Sequence, residues 1–376
     1  MSKEAGGYDA AHIQVLEGRE AVRRWPGMWI GSTGERGLRN LVFEVADRAV
    51  NEVVAGRASR VDITLTSDGG VRVADDGPGV PVGEADGAGL EALLTRMPAS
   101  TGLGALGGVG PFVVNALSSR LTAEVRREGV RRVQEYARGV AVTPLTEAGP
   151  ATDSGTTLVF WPDPEIFGTA EYSFDDLAEE FRELAFLNRD LDVSLTDRRR
   201  PAWPRSVRFR FPGGARDFVA FLDEQEAAPD HPDVIGFEQE DPRMAGTMEV
   251  ALRWRGPGEA RLRSYANGWR TPAGGSHVEG LRDGVAAAVN AYARERRLLT
   301  AADPDLGADR LCEGLTAVVL VRLERPEFEG ATRDRLGNVA ARACVGQAVR
   351  EHLRTWLEEH PDRAAAVVGR YLRTHG

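Results

Sequence analysis

One short segment constrains the fold of this chain more than any other, the run DDGPGV at residues 75–80. It follows residues 60–74, RVDITLTSDGGVRVA, where apolar and polar residues alternate on both sides of an Asp-Gly-Gly turn. Alternation around such a turn predicts a β-hairpin. Two glycines and a proline prevent the second strand from continuing. The strand therefore ends at the carboxylate of Asp75.

Helical and glycine-rich segments flank this hairpin. In residues 37–55, GLRNLVFEVADRAVNEVVA, the spacing of the apolar residues predicts an amphipathic helix, which carries Glu44. A glycine-rich run at residues 102–110 leads into a second helical pattern at 112–118. A glycine loop that opens a helix offers backbone amides to phosphate. Taken alone, the run is explained equally well as a flexible loop.

The remaining pattern predicts an α+β fold in two parts. Prolines and arginines at residues 201–212 indicate a junction near residue 212. We expect further strands at residues 120–127, 131–137, 156–161, 248–254, 261–266 and 315–323, and further helices at residues 90–97, 175–187, 278–296 and 333–359, with a last short helix after Pro361.

Composition narrows the mechanisms open to the chain. Lysine occurs once, as Lys3, among 47 Lys and Arg residues, so a Walker P-loop and lysine imine chemistry are excluded. The net charge of -10 argues against a general nucleic-acid binder, although the arginines at residues 198–200 leave a DNA contact open. The two cysteines have no metal-binding spacing, and no metal site is predicted. Because no signal peptide or membrane-length apolar run is present, we expect a cytoplasmic protein without membrane contact.

Several motifs in order resemble the ATPase and transducer region of bacterial DNA gyrase B and topoisomerase IV, which are GHKL ATPases. The resemblance covers nearly the whole chain. The matching stretches are residues 13–34 (IQVLEGREAVRRWPGMWIGSTG), 41–56 (LVFEVADRAVNEVVAG), 75–81 (DDGPGVP), 107–118 (GGVGPFVVNALS), 154–163 (SGTTLVFWPD), 274–285 (GGSHVEGLRDGV), 312–323 (CEGLTAVVLVRL) and 363–370 (RAAAVVGR).

The resemblance implies a role for each matching residue. Asp75 would accept a hydrogen bond from the adenine amino group of ATP, and Gly79 and Thr156 would complete that polar contact. Glu44 would be the general base that takes a proton from the attacking water. Val45, Val80 and Leu94 would form the apolar walls around adenine, although each is equally expected as ordinary core. Arg127 would lie over the adenine face, where coumarin-type inhibitors also bind. The phosphates would be bound by the backbone amides of Leu106, Gly107, Gly108, Val109 and Gly110.

The main departure from the family pattern is Arg48, which stands where the family has a Mg²⁺-binding Asn. A fixed cation repels Mg²⁺. Arg48 follows Glu44 at the i,i+4 spacing, so we expect an ion pair that lowers the pKa of Glu44. Alternatively, Arg48 reaches the phosphates and replaces part of the metal's charge. Asn51, one turn further on, offers a substitute oxygen ligand, so the sequence leaves open whether Mg²⁺ binds with ATP.

Three smaller departures affect the same site. The segment at residues 97–106 is shorter than the family's lid and carries no lysine, which predicts weaker trapping of nucleotide. The family's Gln-Thr-Lys loop reads Ala331-Thr332-Arg333, where Arg333 keeps a cation for the terminal phosphate. Pro78 replaces an arginine, so we expect Glu52 to lack its usual partner.

The resemblance also implies a domain organisation and partners. We predict a dimerisation arm at residues 1–18, a GHKL (Bergerat) ATPase α/β sandwich at 19–212, a ribosomal S5 domain 2-like transducer at 213–360 and a C-terminal helix or tail at 361–376. Tyr8 and Ile13 of the arm would reach across a homodimer and cover the partner's nucleotide. A gyrase A-like or TOPRIM-containing partner is left open.

Three functions remain open at this point. The chain ends at Gly376 without the acidic motif of a TOPRIM domain, so we expect no DNA cleavage by this chain alone, and its MSKE start favours a free-standing module. The first function is an ATP-binding module that dimerises on binding nucleotide and has weak or altered Mg²⁺-dependent ATP hydrolysis linked to type II topoisomerase-like activity. The second is a hydrolysis-deficient protein that regulates, binds partners or binds inhibitors. The third is unrelated chemistry on the same fold.

Overall fold

The computed structural model describes residues 18–83, 89–97, 109–200, 202–224, 233–256, 258–330 and 332–373. These residues form two compact units. The first unit runs up to Glu180 and takes in Leu191–Arg208, and the second unit takes in Phe181–Asp190 and the chain from Phe209 onward. The domain bounds given above stay a prediction.

The first unit begins with helices and continues into a large mixed sheet. Its helices are α1 (Gly18–Arg24), α2 (Gly27–Ile30), α3 (Glu35–Val54), α4 (Leu90–Thr95), α5 (Pro111–Leu117) and α6 (Pro164–Phe167), and α7 (Phe174–Leu187) begins in it. Its strands are β1 (Arg60–Leu65), β2 (Val71–Asp75), β3 (Ser118–Arg127), β4 (Val130–Ala137), β5 (Val140–Ala141), β6 (Thr146–Pro150), β7 (Gly155–Pro162), β8 (Asp192–Asp197) and β9 (Arg205–Phe209).

The sheet of the first unit has the order β5-β4-β3-β7-β2-β1-β8-β9, with β6 paired to β4. Strands β1 and β2 pair antiparallel from Val61 opposite Asp75 to Leu65 opposite Val71, which confirms the predicted hairpin. Strand β8 pairs parallel to β1, whereas β7 pairs antiparallel with both β2 and β3. Asp75 is thus the last residue of an interior strand.

Helix α3 packs its apolar face on this sheet. The predicted apolar positions of α3 are buried, including Leu41 and Val45, and the helix contacts β1 and β2. Removing a leucine or valine side chain from water contributes about 1.5–3 kcal/mol, so burial of this face fixes the rotation of the helix. That rotation places Glu44 and Arg48, one helical turn apart, on the same side of α3.

The second unit is a smaller sheet with long helices. Its sheet has the order β10-β11-β14-β12-β13, in which β12 and β14 run parallel. The elements are α8 (Ala215–Asp223), β10 (Ile235–Asp241), β11 (Gly246–Trp254), β12 (Arg261–Ala266), β13 (Trp269–Arg270), α9 (Ser276–Glu295), α10 (Ala308–Cys312), β14 (Leu315–Leu323), β15 (Phe328–Glu329), β16 (Arg335–Leu336), α11 (Val339–Glu359) and α12 (Pro361–Arg373).

Strand β14 is covered on both faces, which explains why its sequence is almost continuously apolar. Ala317, Val319 and Val321 belong to a core that includes residues of α9 and α11. Val318 and Leu320 belong to a core on the other face, together with residues of α8. A strand that is buried on both sides needs no polar alternation.

The predicted helix at residues 333–359 begins later than expected. Residues Arg335–Leu336 form β16, which pairs with β15, and α11 starts at Val339 after the N-cap residue Asn338. Arg333 has a φ of 58°, a left-handed conformation that a right-handed helix does not contain. The helix therefore cannot extend back to Arg333, and that part of the prediction is wrong.

Candidate functional site

The carboxylate of Asp75 is the centre of a buried polar cluster at the end of β2. Its side chain is only 1% exposed. Its Oδ1 accepts hydrogen bonds from the backbone amides of Gly77 at 3.0 Å and Thr156 at 3.3 Å. Gly155 permits this approach, because a Cβ at that position would lie 2.2 Å from the Asp75 carbonyl oxygen. One carboxylate oxygen is thus committed to the backbone.

The other oxygen of Asp75 is bound by Arg48. Arg48 Nη1 donates to Asp75 Oδ2 at 2.6 Å, and Nη2 donates to Thr156 Oγ1 at 3.0 Å. The Arg48 side chain is 13% exposed, so this contact is largely shielded from water. Charge-assisted hydrogen bonds in such surroundings are about twice as strong as neutral ones. The guanidinium therefore joins the two side chains that the resemblance assigns to adenine.

Gly79, Val80 and Arg127 lie beside this cluster. The Val80 amide donates to Thr156 Oγ1 at 3.1 Å, so Thr156 Oγ1 accepts two hydrogen bonds. Gly79 has a φ of +75°, and a Cβ there would lie 2.7 Å from the Arg126 carbonyl oxygen. Arg127 Nη1 donates to the Gly79 carbonyl oxygen at 3.0 Å. This turn therefore requires glycine at position 79 and holds Arg127 against it.

The predicted apolar walls are part of the core. Val45, Val80 and Leu94 are 2%, 6% and 0% exposed, respectively. Asn115 is also buried, and its Nδ2 donates to the Leu94 carbonyl oxygen at 2.8 Å, which fixes the end of α4. Their burial agrees with a wall and with ordinary core, so burial alone does not decide between the two.

Glu44 lies at the glycine-loop end of the site. The Gly110 amide donates to Glu44 Oε2 at 2.7 Å. Burial raises the pKa of the Glu44 carboxyl to about 7, the nearby charge of Asp47 adds to the rise, and the amides of Gly110 and Val109 oppose it. The carboxylate thus accepts from backbone amides that the resemblance assigns to phosphate.

The structure corrects two expectations about charges on α3. The predicted ion pair between Glu44 and Arg48 and the lowered pKa of Glu44 are wrong, since Arg48 pairs with Asp75 and the pKa of Glu44 is raised. The i,i+4 spacing does not predict this pairing, because the arginine side chain is long enough to reach Asp75 at the end of β2 instead of Glu44. Glu52 lacks the family's arginine at position 78, and Arg57 Nε lies 2.7 Å from its Oε2 instead.

Two other predicted residues have partners or neighbours within their own units. Asn51 Nδ2 donates to Asp47 Oδ2 at 3.3 Å, one turn back on α3. In the second unit, the Arg333 guanidinium lies over the Trp269 ring at 4.8 Å from its centroid. Arg333 Nη1 is buried and has no hydrogen-bond partner among the described residues. Such an unsatisfied donor carries a desolvation cost of about 1–3 kcal/mol or more.

Some predicted site residues lie outside the described residues. These are Tyr8 and Ile13 of the arm, and Leu106, Gly107 and Gly108 of the glycine loop, together with Ala331. Among the residues that are described, no cluster of His, Cys, Asp and Glu is suited to a metal ion. None of the described helices is long and apolar enough to cross a membrane.

Comparisons with known proteins identify relatives of this chain. A family model described as DNA gyrase B matches residues 214–375. The DNA gyrase B protein of Streptomyces coelicolor is 42% identical over 387 residues, which cover 96% of this chain and 56% of that protein. The novobiocin-resistant DNA gyrase B protein of Streptomyces niveus is 43% identical over 386 residues, covering 96% of this chain and 57% of that protein. The chain thus spans somewhat over half the length of these curated relatives.

Solved structures match the chain across nearly its full length. The 43K ATPase domain of Thermus thermophilus gyrase B, solved with an aminocoumarin, has a TM-score of 0.85 and 34% identity, covering 96% of this chain and 95% of that one. The ATP-binding domain of Francisella tularensis topoisomerase IV has a TM-score of 0.78 and 28% identity, covering 96% and 97%. These matches confirm the predicted α+β fold class of GHKL type. The chain therefore belongs to the DNA gyrase B family, in the region that the ATPase-domain structure covers.

Proposed function

We propose that this chain is a gyrase B-type nucleotide-binding and transducer module that is deficient in ATP hydrolysis and acts as a regulatory or partner-binding protein. One observation carries the proposal: the Arg48 guanidinium donates to Asp75 Oδ2 and Thr156 Oγ1. With Arg48 in place, both oxygens of Asp75 are used by protein donors. An adenine amino group would therefore have to share Asp75 Oδ2 with the Arg48 guanidinium, which itself only donates.

The phosphate end supports the same proposal. The Gly110 amide, an expected phosphate donor, is bound to the carboxylate of Glu44. Asn51, the candidate substitute for the missing metal-binding Asn, is hydrogen-bonded to Asp47. A guanidinium cannot ligate Mg²⁺, because it has donors and no acceptor. Nucleotide that binds here must displace one or both of these internal contacts.

A second candidate is slow ATP hydrolysis, which one observation favours. Burial raises the pKa of Glu44 to about 7, near the value at which a carboxylate works best as a general base at neutral pH. The resemblance alone implies that Arg333 would add a cation for the terminal phosphate. Under this candidate, the base is retained and nucleotide binding limits the rate.

Steady-state phosphate release with ATP and Mg²⁺ separates the two candidates. We expect turnover at least tenfold below that of the complete gyrase B protein of Streptomyces coelicolor, and Arg48→Asn to raise it. Arg36→Asn, an exposed arginine on the same helix, is the matched control and should change nothing. Turnover equal to that of the complete gyrase B protein would refute hydrolysis deficiency, and a slow rate abolished by Glu44→Gln would support the second candidate.

Dimerisation, partners and location remain further proposals. The resemblance supports a homodimer that exchanges its N-terminal arm and a gyrase A-like or TOPRIM-containing partner in the cytoplasm. The aminocoumarin in the Thermus thermophilus structure supports inhibitor binding near Asp75 and Arg127. Sedimentation with and without a non-hydrolysable nucleotide tests the dimer, and a novobiocin titration tests inhibitor binding. A chain that stays monomeric with saturating nucleotide would contradict arm exchange.

A further inference from the structure

The second unit contains a cavity of about 360 Å³ at the free edge of its sheet, which we call the edge cavity. Strand β13 is the last strand of the sheet order, and residues from both faces of the β12–β13 hairpin line the cavity. The start of α9 and Arg335 of β16 close it. Small-molecule sites have volumes of about 300–1,000 Å³. The edge cavity is thus large enough for a small ligand, and all of its lining residues belong to the second unit.

Two buried hydroxyl groups line the edge cavity and hold its shape. Ser264 and Thr271 are 6% and 1% exposed. Ser264 Oγ donates to the Thr271 carbonyl oxygen at 2.8 Å, and Thr271 Oγ1 lies 3.2 Å from Nε2 of the buried His277. Burial lowers the pKa of His277 to about 4, so the imidazole is neutral at pH 7. This network fixes the segment after β13 and adds no charge to the cavity.

The charged residues that line the edge cavity are mostly cations. They are one acid and four arginines, namely Glu279, Arg263, Arg270, Arg282 and Arg335. The carboxylate of Glu279 binds both Arg335 and Arg342, so its charge is already compensated. Arg282 Nη1 lies 3.4 Å from Asp309, whose side chain is 94% exposed, and exposed pairs of this kind are weak. The lining residues therefore leave a net positive charge in the cavity.

Arg263 and Arg270 contribute most of this uncompensated charge. In the part of the chain that the structure describes, neither forms a hydrogen bond or an ion pair. Tyr265 pairs with Arg270 across the hairpin, so Arg263, two residues earlier, is the diagonal neighbour of Arg270 on the same face. Diagonal neighbours are about 7–8 Å apart, within reach of long side chains. Two cations at this spacing repel each other, and an anion bound between them would remove that cost.

We propose that the edge cavity binds a small anion with a terminal phosphate group, held by Arg263 and Arg270. Arginine binds phosphate with two parallel hydrogen bonds. A terminal phosphate carries about 1.5 to 2 negative charges at pH 7 and three acceptor oxygens, so it can accept from both arginines at once. A carboxylate or a phosphodiester of nucleic acid carries only one charge. The partial positive charge at the N-terminus of α9 acts in the same direction. This site lies in the second unit and does not depend on the proposed function.

Calorimetric titration of the full chain with inorganic phosphate and inorganic pyrophosphate tests the inference, with potassium chloride keeping the ionic strength constant. We expect saturable binding that is tighter for pyrophosphate, which carries more charge. Arg263→Gln and Arg270→Gln should each weaken binding about tenfold, because each removes one charged donor. Arg350→Gln is the matched control, because Arg350 is an exposed arginine of α11 outside the edge cavity, and it should leave the affinity unchanged. Melting temperatures of the variants check that each is folded.

Three results would overturn the inference. They are the absence of saturable pyrophosphate binding, binding that Arg263→Gln and Arg270→Gln leave unchanged, and equal weakening by Arg350→Gln. The second result would place the anion at another site, such as the glycine loop. A short DNA duplex titrated at the same ionic strength is the remaining comparison, and duplex binding that needs both arginines without pyrophosphate binding would assign the site to a phosphodiester backbone instead. None of these results depends on ATP turnover, so the proposed function is refuted separately.

Discussion

The ion pair between Arg48 and Asp75 should make a measurable contribution to the stability of the first unit. Their atoms are 2.6 Å apart, and the two side chains are 13% and 1% exposed. Removing one partner of a buried pair costs about 3–5 kcal/mol, because the other charge is left without compensation. Since Arg48 retains some contact with water, we expect Arg48→Met and Asp75→Asn each to cost about 3 kcal/mol, at the lower end of that range.

The double variant is the decisive member of this series. It removes both charges at once, so it should cost about 2 kcal/mol less than the sum of the two single variants, within the range of about 0.5–3 kcal/mol seen for residues in contact. Urea unfolding of the full chain, followed by circular dichroism and tryptophan fluorescence, gives the four free energies. The transition of the first unit is fitted separately where two transitions appear.

A matched control lies on β1 in the same unit. Arg60 and Asp62 are 3.4 Å apart, with side chains 53% and 41% exposed. Exposed pairs contribute about 0.2–1 kcal/mol, so the same double-variant cycle should give a coupling below about 1 kcal/mol. Additive effects for Arg48 and Asp75, with a coupling no larger than that of the control, would mean that the two residues do not pair in solution.

Three further predictions concern pH and packing. The folded-state pKa of Glu44 is about 7, above its ordinary value of 4.5, so the protein loses stability as the pH rises through this interval. Glu44→Gln should therefore be more stable than wild type by up to about 3 kcal/mol at pH 8, but not at pH 4. An equal difference in urea midpoint at both pH values would contradict this. Burial lowers the pKa of His277 from 6.5 to about 4, so wild-type stability should fall as pH drops through that window, and His277→Gln should lack that part of the fall in a pH series of melting temperatures. Gly280→Ala should lower the free energy of unfolding by about 1–3 kcal/mol, because its Cβ would lie 2.4 Å from the Arg342 carbonyl oxygen. Gly307 has open space around it, so Gly307→Ala should lower that free energy by less than about 1 kcal/mol in the same denaturation assay.

The sequence predicts the elements that have a clear hydrophobic period. Helix α3 and the hairpin of β1 and β2 were predictable because each buries one face against the core, and that face repeats at the helical or strand period. Strand β14 was predictable from its length and apolar content. The late start of α11 was not, because the left-handed φ of Arg333 and the pairing of β16 with β15 depend on the fold around them.

Other elements were not predicted from the sequence because their local patterns are short. Strands β8 and β9 and helix α8 belong to this group, and each has fewer than ten residues. Strand β8 is stabilised as a parallel neighbour of β1, a partner far away in the chain. A pattern of one or two buried positions is too short to distinguish such a strand from a loop.

The site shows the same division between local pattern and long-range contact. Asp75, Gly79 and Thr156 were predicted from motifs, and the structure brings them into one cluster. The partner of Arg48 was not predictable, because Asp75 is 27 positions away and Glu44 stands at the favourable helical spacing. An arginine side chain spans more than one helical turn, so spacing on the helix does not fix which carboxylate it binds.

The affinity of ATP for two forms of the chain tests most directly whether Arg48 occupies Asp75 Oδ2 and Thr156 Oγ1, the acceptors that the resemblance assigns to adenine. Breaking a hydrogen bond between charged groups costs about 1.5–3 kcal/mol, and each 1.4 kcal/mol is about a tenfold change in affinity. Calorimetry without Mg²⁺ should therefore show ATP binding at least tenfold more tightly to Arg48→Asn than to the unmutated chain. Equal or tighter binding by the unmutated chain would contradict this role and would instead place Arg48 on the phosphates.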